Sequence, residues 1–162
     1  METKAKILDK KSAFARISFW KDSGDKVVFT NGCFDILHLG HIDYLEKARN
    51  LGDRLVVGVN SDASIRRIKG AERPIIDEDA RMKVIAALEF VDMVVGFDED
   101  TPFELIGELK PDILTKGNDY TIDNIVGADI VMKNGGSVET IPLVKGYSTS
   151  RIIGKIAKNL KG

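Results

Sequence analysis

Short runs of apolar residues recur along this chain and alternate with segments of helical periodicity. The runs LVVGV at residues 55–59 and MVV at residues 93–95 have no polar position, so both of their faces must be buried. Strands that are buried on both faces and joined through helices form parallel sheets covered by helices on both sides. The sequence therefore predicts an α/β fold built on a parallel sheet.

The same periodicity predicts the number and order of the elements. Five strands are predicted, at residues 26–30, 54–60, 91–95, 112–115 and 137–141. Helices are predicted at residues 12–21, 42–48, 61–68, 78–90, 102–109, 125–133 and 148–159. No linker or repeat interrupts the chain, so we expect one compact domain over residues 25–162, preceded by a leading helical segment over residues 1–24.

The charge balance and the cysteine content limit which partners the protein can bind and in which cellular compartment it is expected. Lysine and arginine number 24 against 25 aspartate and glutamate residues, so no overall positive field favours nucleic acid or an anionic membrane. A single cysteine, Cys33, cannot form an internal disulfide, and no apolar run approaches the roughly 20 residues that cross a bilayer as a helix. We therefore expect a cytoplasmic protein that binds neither nucleic acid nor a membrane.

In a parallel sheet the ligand crevice lies beyond the carboxyl ends of the strands, where the strand order reverses. Polar, donor-rich segments follow the predicted strands at residues 31–35, 60–62, 116–119 and 146–150. Because the carboxyl ends of parallel strands meet at one edge of the sheet, these segments are expected to border a common site.

Both histidines of the chain, His38 and His41, lie in the window that follows the first predicted strand. Their spacing places them on one face of the first turn of a helix, where free N–H groups and the positive end of the helix dipole favour an anion. Gly40 between them has no Cβ, so a phosphate can approach the backbone closely. The window therefore predicts a polyphosphate ligand.

A second donor cluster precedes the last predicted helix. Ser148, Thr149 and Ser150 offer three successive hydroxyl groups beside the free amides of a helix N-terminus, which is more than a helix cap requires. Lys69 and Arg73, in the segment after the second strand, could bring cations over the crevice, although solvated surface charges show the same spacing.

Two other interpretations of the histidine window fit the sequence less well. A zinc ion with Cys33 or Asp35 as a further ligand would need a fuller ligand set than a chain with one cysteine provides. Cys33 could act as a nucleophile beside a histidine, but we expect it to be a small wall residue of the site. No metal ion held by protein ligands is predicted.

The stretch FDILHLGH at residues 34–41 resembles the H-x-G-H signature of the cytidylyltransferase-like nucleotidyltransferases, and YSTS at residues 147–150 is similar to their second signature. The chain looks most like the heptose 1-phosphate adenylyltransferase branch, through TNGCFDILHLGHIDYL, VNSDASIRRIKGAERPI and LTKGNDY. The resemblance implies a Rossmann-like five-stranded parallel sheet with helices on both faces. It also implies transfer of AMP from ATP to a sugar 1-phosphate with release of pyrophosphate, and Mg²⁺ held by the phosphates; a homodimer is expected.

The positions of these residues after strands and at helix starts, together with the resemblance, predict roles for individual residues. The catalytic residues, acting on the triphosphate, are expected to be His38, His41 and Lys69, with His41 at the α-phosphate. The nucleotide-binding residues are expected to be Thr30, Asn31, Gly32, Cys33, Phe34, Gly40, Lys116, Gly117, Asp119, Ser148, Thr149 and Ser150, with Lys116 and Gly117 contacting adenosine through the main chain. The acceptor-binding residues are expected to be Asn31, Asp35, Arg73 and Arg81.

Two related branches share the first signature and stay open as alternatives, the glycerol-3-phosphate cytidylyltransferases and the FAD synthetases. The former carry an arginine where this chain has Glu89, which is expected to repel a phosphorylated acceptor there, and an Arg-Thr pair where it has Leu143 and Val144. These departures favour adenylyl transfer. A nucleotide-binding sensor and a structural dimer module using Phe14 and Trp20 are the non-enzymatic alternatives.

Overall fold

The computed structural model describes residues 2–160, in which six parallel strands form one sheet. The strands are β1 (Ile7–Leu8), β2 (Val27–Gly32), β3 (Arg54–Asn60), β4 (Met93–Phe97), β5 (Ile113–Gly117) and β6 (Ser137–Ile141). Their order across the sheet is β1-β4-β3-β2-β5-β6, and every neighbouring pair is parallel. The prediction of an α/β fold with a parallel sheet is confirmed.

Helices connect the strands on both sides of the sheet. They are α1 (Lys10–Asp22), α2 (Leu39–Arg49), α3 (Asp62–Lys69), α4 (Glu78–Ala86), α5 (Phe103–Leu109), α6 (Ala128–Lys133) and α7 (Thr149–Leu160). Side-chain caps begin four of them: Asp9 accepts from the backbone N–H of Ser12, Ser61 from Ser64, Asp77 from Ala80, and Ser148 from Arg151. Within residues 2–160 no helix is long and apolar enough to span a bilayer.

The predicted number of five strands is wrong by one. The additional strand, β1, has only two residues and lies in the leading segment that was expected to be helical. A two-residue strand is too short for any periodicity to reveal it. Its place at the sheet edge comes from pairing with β4, with Ile7 opposite Val94 and Leu8 opposite Val95.

The leading segment belongs to the same core as the rest of the chain. Ala13, Ile17 and Trp20 of α1 are buried in one hydrophobic cluster with Phe29 of β2 and Leu114 of β5. The sequence indicated a helix here from the spacing of Phe14, Ile17 and Trp20. Ile17 and Trp20 are buried, whereas Phe14 is half exposed and Ala13 takes its place in the core.

The sheet has two faces, because successive side chains of a strand point to opposite sides. Phe29 and Leu114 pack against α1, α5 and α6 on what we call the α1 face. Val28 packs with Leu45 and Ala48 of α2 on the opposite side, the α2 face. The chain continues from β2 to β3 on one side, whereas β5 lies on the other, so the strand order reverses at β2. A ligand crevice is expected at the carboxyl end of this strand.

Candidate active site

A cavity of about 550 Å³ lies at the carboxyl ends of β2, β3 and β5. Its walls contain the predicted site residues Asn31, Gly32, Cys33, Phe34, Asp35, His38, Gly40, His41, Lys69, Arg73, Lys116, Gly117, Asp119, Ser148, Thr149 and Ser150. The tertiary structure therefore brings together segments that are more than 100 residues apart in the chain. Two predicted residues, Thr30 and Arg81, do not line this cavity.

His38 and His41 occupy the first turn of α2. His38 is the N-cap residue with an extended backbone, and its carbonyl oxygen accepts the backbone N–H of His41 at 2.9 Å. The two imidazole rings stack with centroids 3.8 Å apart and planes 20° from parallel. Phe34 meets the ring of His41 edge-on at 5.3 Å, so apolar packing orients the inner imidazole.

The pKa of His41 is lowered to about 4, mainly by burial and in smaller part by the nearby His38 and Lys69. Burial also lowers the pKa of His38. His41 is therefore neutral near pH 7 and offers one N–H donor rather than two. The Nδ1 atoms of both rings are buried without a hydrogen-bond partner in the described part of the chain.

Glycines keep this corner of the cavity open. A Cβ on Gly40 would lie 3.0 Å from the imidazole of His38 and 3.4 Å from the Cβ of Tyr147. A Cβ on Gly32 would lie 3.0 Å from the ring of Phe34, whose own φ of 47° is in the left-handed region. A non-glycine residue in that conformation is a local strain that occurs preferentially at functional sites. The structure thus adds a packing reason for Gly40 to the predicted phosphate approach.

The N-terminus of α7 forms the wall beside the histidine window, where Tyr147 approaches Gly40. The hydroxyl oxygen of Ser148 accepts the backbone N–H of Arg151 at 3.2 Å, so this serine caps the helix. Thr149 and Ser150 line the cavity in the first turn. No residue of α7 is buried, so the helix lies on the surface of the domain.

Asp35 is at the centre of a buried polar network. Its carboxylate accepts the backbone N–H groups of Ile75 and Ile76 at 2.9 Å and the Nε–H of Arg73 at 2.6 Å. Burial raises the pKa of Asp35, but these donors outweigh that effect and leave the pKa below its usual range. Asp35 thereby ties the segment after α3 to the loop that precedes the histidines.

Three residues lie where their predicted roles are difficult to fulfil. Arg81 is buried and donates to the carbonyl oxygens of Ile76 and Cys33 and to the carboxylate of Asp62. Thr30 is buried beneath the cavity, with its hydroxyl 2.8 Å from the hydroxyl of Tyr44. Glu89 is exposed and outside the cavity wall, so the expected repulsion of an acceptor by Glu89 is not supported.

Several residues that line the cavity were not among the individual site residues predicted from the sequence, although Asn60 and Tyr147 lie in segments that were expected to border the site. They are Tyr44, Asn60, Ile68, Asp100, Thr101, Pro102, Tyr120, Asn124, Ile125, Val126, Leu143, Val144 and Tyr147. One signal could have found part of this set: Asp100 and Thr101 follow β4, and the rule that ligands bind after strand ends applies to them as well. The apolar residues carry no such signal, because a wall residue and a core residue look alike in sequence.

The donor set of the cavity suits phosphate groups better than a protein-held metal. No group of three or more histidine, cysteine, aspartate or glutamate side chains that could hold a metal ion occurs among the described residues. Imidazoles, the ammonium groups of Lys69 and Lys116, the guanidinium of Arg73 and two helix N-termini converge instead.

The family model described as cytidylyltransferase-like matches residues 29–155, which include both histidines and the first turn of α7. The chain belongs to the cytidylyltransferase-like family. This confirms the predicted class of nucleotidyltransferase enzymes. The cavity therefore joins the H-x-G-H signature at the start of α2 to the family's second signature at the start of α7.

The curated relatives are longer proteins, of which this chain matches one part. The bifunctional protein HldE of Citrifermentans bemidjiense is 61% identical over 133 residues, which are 82% of this chain and 27% of that protein. The bifunctional protein HldE of Magnetococcus marinus is 54% identical over 156 residues, which are 96% of this chain and 32% of that protein. The chain thus spans about a third of the length of the curated relatives it matches.

A solved structure supports the fold of this family member. A lipopolysaccharide core biosynthesis protein from Thermoplasma volcanium is 37% identical, with a TM-score of 0.61. The similarity covers 77% of this chain and 100% of that one. The Rossmann-like nucleotidyltransferase fold is confirmed, with six strands instead of five.

Proposed function

We propose that this chain transfers AMP from ATP to heptose 1-phosphate, giving ADP-heptose for surface polysaccharide and releasing pyrophosphate. One observation carries the proposal: a single cavity joins the stacked histidines of α2 to the N-terminus of α7. Two further findings support it, namely the high identity to the HldE proteins and the similarity to a lipopolysaccharide core biosynthesis protein.

The reaction needs positioning and charge stabilisation more than acid–base catalysis. A phosphate monoester is largely doubly ionised near pH 7, because its second pKa is about 6. One of its oxygens attacks the α-phosphorus of ATP, and the bond to the pyrophosphate oxygen breaks with its electron pair leaving on pyrophosphate. No proton has to move and no enzyme intermediate forms. The site must hold two anions together and stabilise the departing one.

The histidine pair would supply preorganised donors for the triphosphate. His41 is neutral, so it donates a hydrogen bond to the α-phosphate without adding a full charge. His38 stacks on it and would contact the adjoining phosphates. Lys69, exposed at the end of α3, lies close enough to influence the pKa of His41 and would cover the departing pyrophosphate. The amides of Thr149 and Ser150 would complete this half of the site.

A divalent metal ion is a general requirement of nucleotidyltransferases, and we propose Mg²⁺. The residues of the cavity are compatible with an ion carried mainly by phosphate oxygens, because the described residues contain no three-ligand cluster. Bound in this way, Mg²⁺ would neutralise charge on the triphosphate.

The acceptor would lie near the end of β2. Asn31 and Arg73 line the cavity, and each has a buried side-chain atom without a partner in the described residues, Oδ1 and Nη2 respectively. Both can therefore bind an acceptor group directly. We propose that Asp35 and Arg81, whose polar atoms are engaged within the protein, act on the acceptor indirectly by positioning Arg73 and the loop at Cys33.

A panel of substrate pairs tests the proposal. Pyrophosphate release is measured with ATP or CTP, each combined with heptose 1-phosphate, glycerol 3-phosphate or FMN. We expect ATP with heptose 1-phosphate to give the highest kcat/KM, because the chain resembles the heptose 1-phosphate adenylyltransferase branch and has Leu143 and Val144 where the cytidylyltransferases carry an Arg-Thr pair. CTP with glycerol 3-phosphate, or ATP with FMN, would instead identify one of the related branches. Nucleotide binding without turnover would indicate a sensor.

Two further parts of the proposal concern the protein in the cell. We propose a cytoplasmic location, which would keep the free thiol of Cys33 reduced. We also propose a homodimer, supported by exposed apolar side chains on helix surfaces, such as Phe14 and Phe19 of α1 and Ile156 of α7. Light scattering at several protein concentrations would test the dimer.

A further inference from the structure

The side chain of Lys116 enters the cavity from β5 without a counter-ion. Its ammonium donates to the carbonyl oxygen of Asn31 at 3.2 Å, which is the one hydrogen bond it makes within residues 2–160. No salt bridge involves this lysine in that part of the chain, although Asp119 lies near enough to influence its pKa. Two of the three N–H donors of the ammonium are therefore available to a ligand.

Burial makes this arrangement costly in the free protein. Burial lowers the pKa of Lys116 to about 8, against the opposing effects of Cys33 and Asp119. A lysine that served only to pack the wall would be more stable as an apolar residue of similar length. An unpaired ammonium that lines a cavity is the expected state of a group whose anionic partner arrives with the substrate.

Lys116 belongs to a row of polar side chains on the α1 face of the sheet. Phe29 and Leu114 point to this face, so Asn31 and Lys116, two residues further along β2 and β5, point there as well. Val56 of β3 also points to the α1 face. Asn60 lies four residues further along β3, so its side chain points to the same face. All three polar residues line the cavity.

The two asparagines have hydrogen-bonding atoms available to a ligand. The Oδ1 of Asn31 is buried without a partner in the described residues. The amide nitrogen of Asn60 donates to the hydroxyl of Ser64 at 3.1 Å, which leaves its carbonyl oxygen for another donor. One cation flanked by two amide oxygens suits a phosphate that carries several hydroxyl groups.

We propose that Lys116 binds the phosphate group of the acceptor, and that Asn31 and Asn60 beside it bind acceptor hydroxyl groups. This inference rests on the proposed adenylyl transfer. The histidines belong to α2, which packs on the opposite face of the sheet. An acceptor on the α1 side and a leaving pyrophosphate on the α2 side would flank the α-phosphorus, as in-line displacement requires.

Lys116 would hold the acceptor without taking part in bond changes. The ammonium donates hydrogen bonds to two non-attacking phosphate oxygens, and the third oxygen remains the nucleophile. Its effect should therefore be seen in the KM of the acceptor more than in the KM of ATP. Arg73 is the other cation near the acceptor. Its Nε–H is bound to Asp35, whereas its Nη2 has no partner in the described residues and would contact a further oxygen of the acceptor.

The test is the Lys116→Met variant, which keeps the length of the side chain and removes the charge. Loss of charged hydrogen bonds worth about 1.5–3 kcal/mol should raise the KM of the acceptor by roughly 10-fold to 100-fold. The KM of ATP should change by less than about threefold. Lys133→Met, on the exposed end of α6, is the matched control and should behave like the wild type. An unchanged acceptor KM, or a rise confined to ATP, overturns the proposal.

A pH series on a charge-preserving variant gives an independent readout if Lys116→Met fails to fold. As pH rises through about 8 the ammonium loses its proton, so the acceptor KM of the wild type should increase. Lys116→Arg stays charged in this range, so its acceptor KM should not show that increase.

The groups facing Lys116 are Cys33, Asp119 and Tyr120. Cys33→Ser must retain the increase, which separates the effect of Lys116 from any effect of the neighbouring thiol. Persistence of the increase in Lys116→Arg contradicts the role of Lys116.

The proposed reaction and the proposed role of Lys116 can fail separately. If the wild type prefers glycerol 3-phosphate or FMN, the proposed reaction is wrong. The role of Lys116 is then judged from the KM of that acceptor, since each also carries a phosphate group. If the wild type uses heptose 1-phosphate and Lys116→Met leaves its KM unchanged, only the inference about Lys116 fails.

Discussion

Each imidazole of the histidine pair is held by a different neighbour. Phe34 lies edge-on against His41, whereas His38 occupies the space that Gly40 leaves by lacking a side chain. Both contacts are local, because the residues that make them lie within the eight-residue stretch 34–41. They preorganise two donors at a helix N-terminus before any ligand arrives, which is the condition under which hydrogen bonds contribute most to catalysis.

We predict that His41→Ala lowers kcat by about 10² or more, because one preorganised donor to the transferring phosphate is lost. The KM of the acceptor should change little, since the acceptor is proposed to lie across the end of β2. Steady-state pyrophosphate release measures both constants. Circular dichroism and thermal unfolding establish that the variant is folded. A folded His41→Ala protein with wild-type kcat contradicts the role of His41.

The pH dependence of the wild type gives a control for this prediction. Because its pKa is about 4, His41 gains a proton only when the pH falls well below the pKa of an ordinary histidine. Between pH 6 and 7.5 no loss of kcat should therefore come from His41. A decrease in kcat with a midpoint near 6.5 that disappears in His41→Asn would show that the imidazole titrates normally and is less buried than the structure indicates.

The segment after α3 depends on one carboxylate for its position. Asp35 accepts two backbone N–H groups of this segment and the guanidinium of Arg73, and its side chain is fully buried. The segment forms no helix or strand between Gly70 and Ile76, so few other interactions define its path. Lys69 and Arg73 reach the cavity from this segment and the adjoining end of α3.

We predict that Asp35→Ala lowers the free energy of unfolding by about 3 kcal/mol or more, because it leaves a buried guanidinium and two amides unpaired. The backbone amides of Ile75 and Ile76 should exchange hydrogen faster by mass spectrometry or NMR. Asp43→Ala is the control. Asp43 pairs with Lys47 on the exposed surface of α2, and its loss should cost less than about 0.5 kcal/mol. Unchanged exchange at Ile75 and Ile76 would rule out the positioning role of Asp35.

The two terminal helices contribute unequally to the whole domain. Three residues of α1 are buried in the core, whereas α7 buries none of its residues. The first helix therefore stabilises the fold. The last helix contributes its N-terminus to the cavity and little to the core.

We predict that a chain ending at Lys145 stays folded and loses its response to ATP. Its free energy of unfolding without ligand should fall by about 1–2 kcal/mol at most, since none of the removed residues up to Leu160 is buried. In the full chain, ATP at 100 times its Kd should add about 2.7 kcal/mol, seen as a higher Tm, and the shortened chain should lack this gain. A second shortened chain, which lacks residues 2–24, serves as the comparison. That deletion takes away Ala13, Ile17 and Trp20 and should cost more than about 5 kcal/mol. An ATP response that survives the loss of α7 contradicts the prediction.

Much of the architecture could be read from local pattern. The strand limits at residues 54–60 and 137–141 match β3 and β6, because apolar alternation and turn residues bound them clearly. The predicted helix at residues 78–90 ends at Ala86 in the structure, and the predicted strand at residues 91–95 begins at Met93. These limits are set by packing against neighbouring elements, which a window of sequence does not contain.

Lys69 and Arg73 reach the cavity from the end of α3 and from the segment after it. The other residues predicted correctly to line the cavity share one property: they end or follow a strand or begin a helix. That rule holds because the backbone geometry of a parallel sheet directs those positions to one edge. It does not say whether a polar side chain will be free or already bonded. Asp35 and Arg81 carry the same charges as free binding residues would, and only their buried neighbours reveal that those charges are used within the protein.

The amino-acid order alone was sufficient for the α/β class and the strand-to-helix junction at the histidines, and it led to the prediction of a polyphosphate ligand, since each follows from spacing over a few residues. The three-dimensional arrangement was needed for the short edge strand, for the division of charged side chains into bonded and available ones, and for the row of Asn31, Asn60 and Lys116. The physical reason is the same in each case. Burial and hydrogen-bond partners are properties of residues that meet across the sheet, and contacts between distant parts of the chain leave no periodic trace in its sequence.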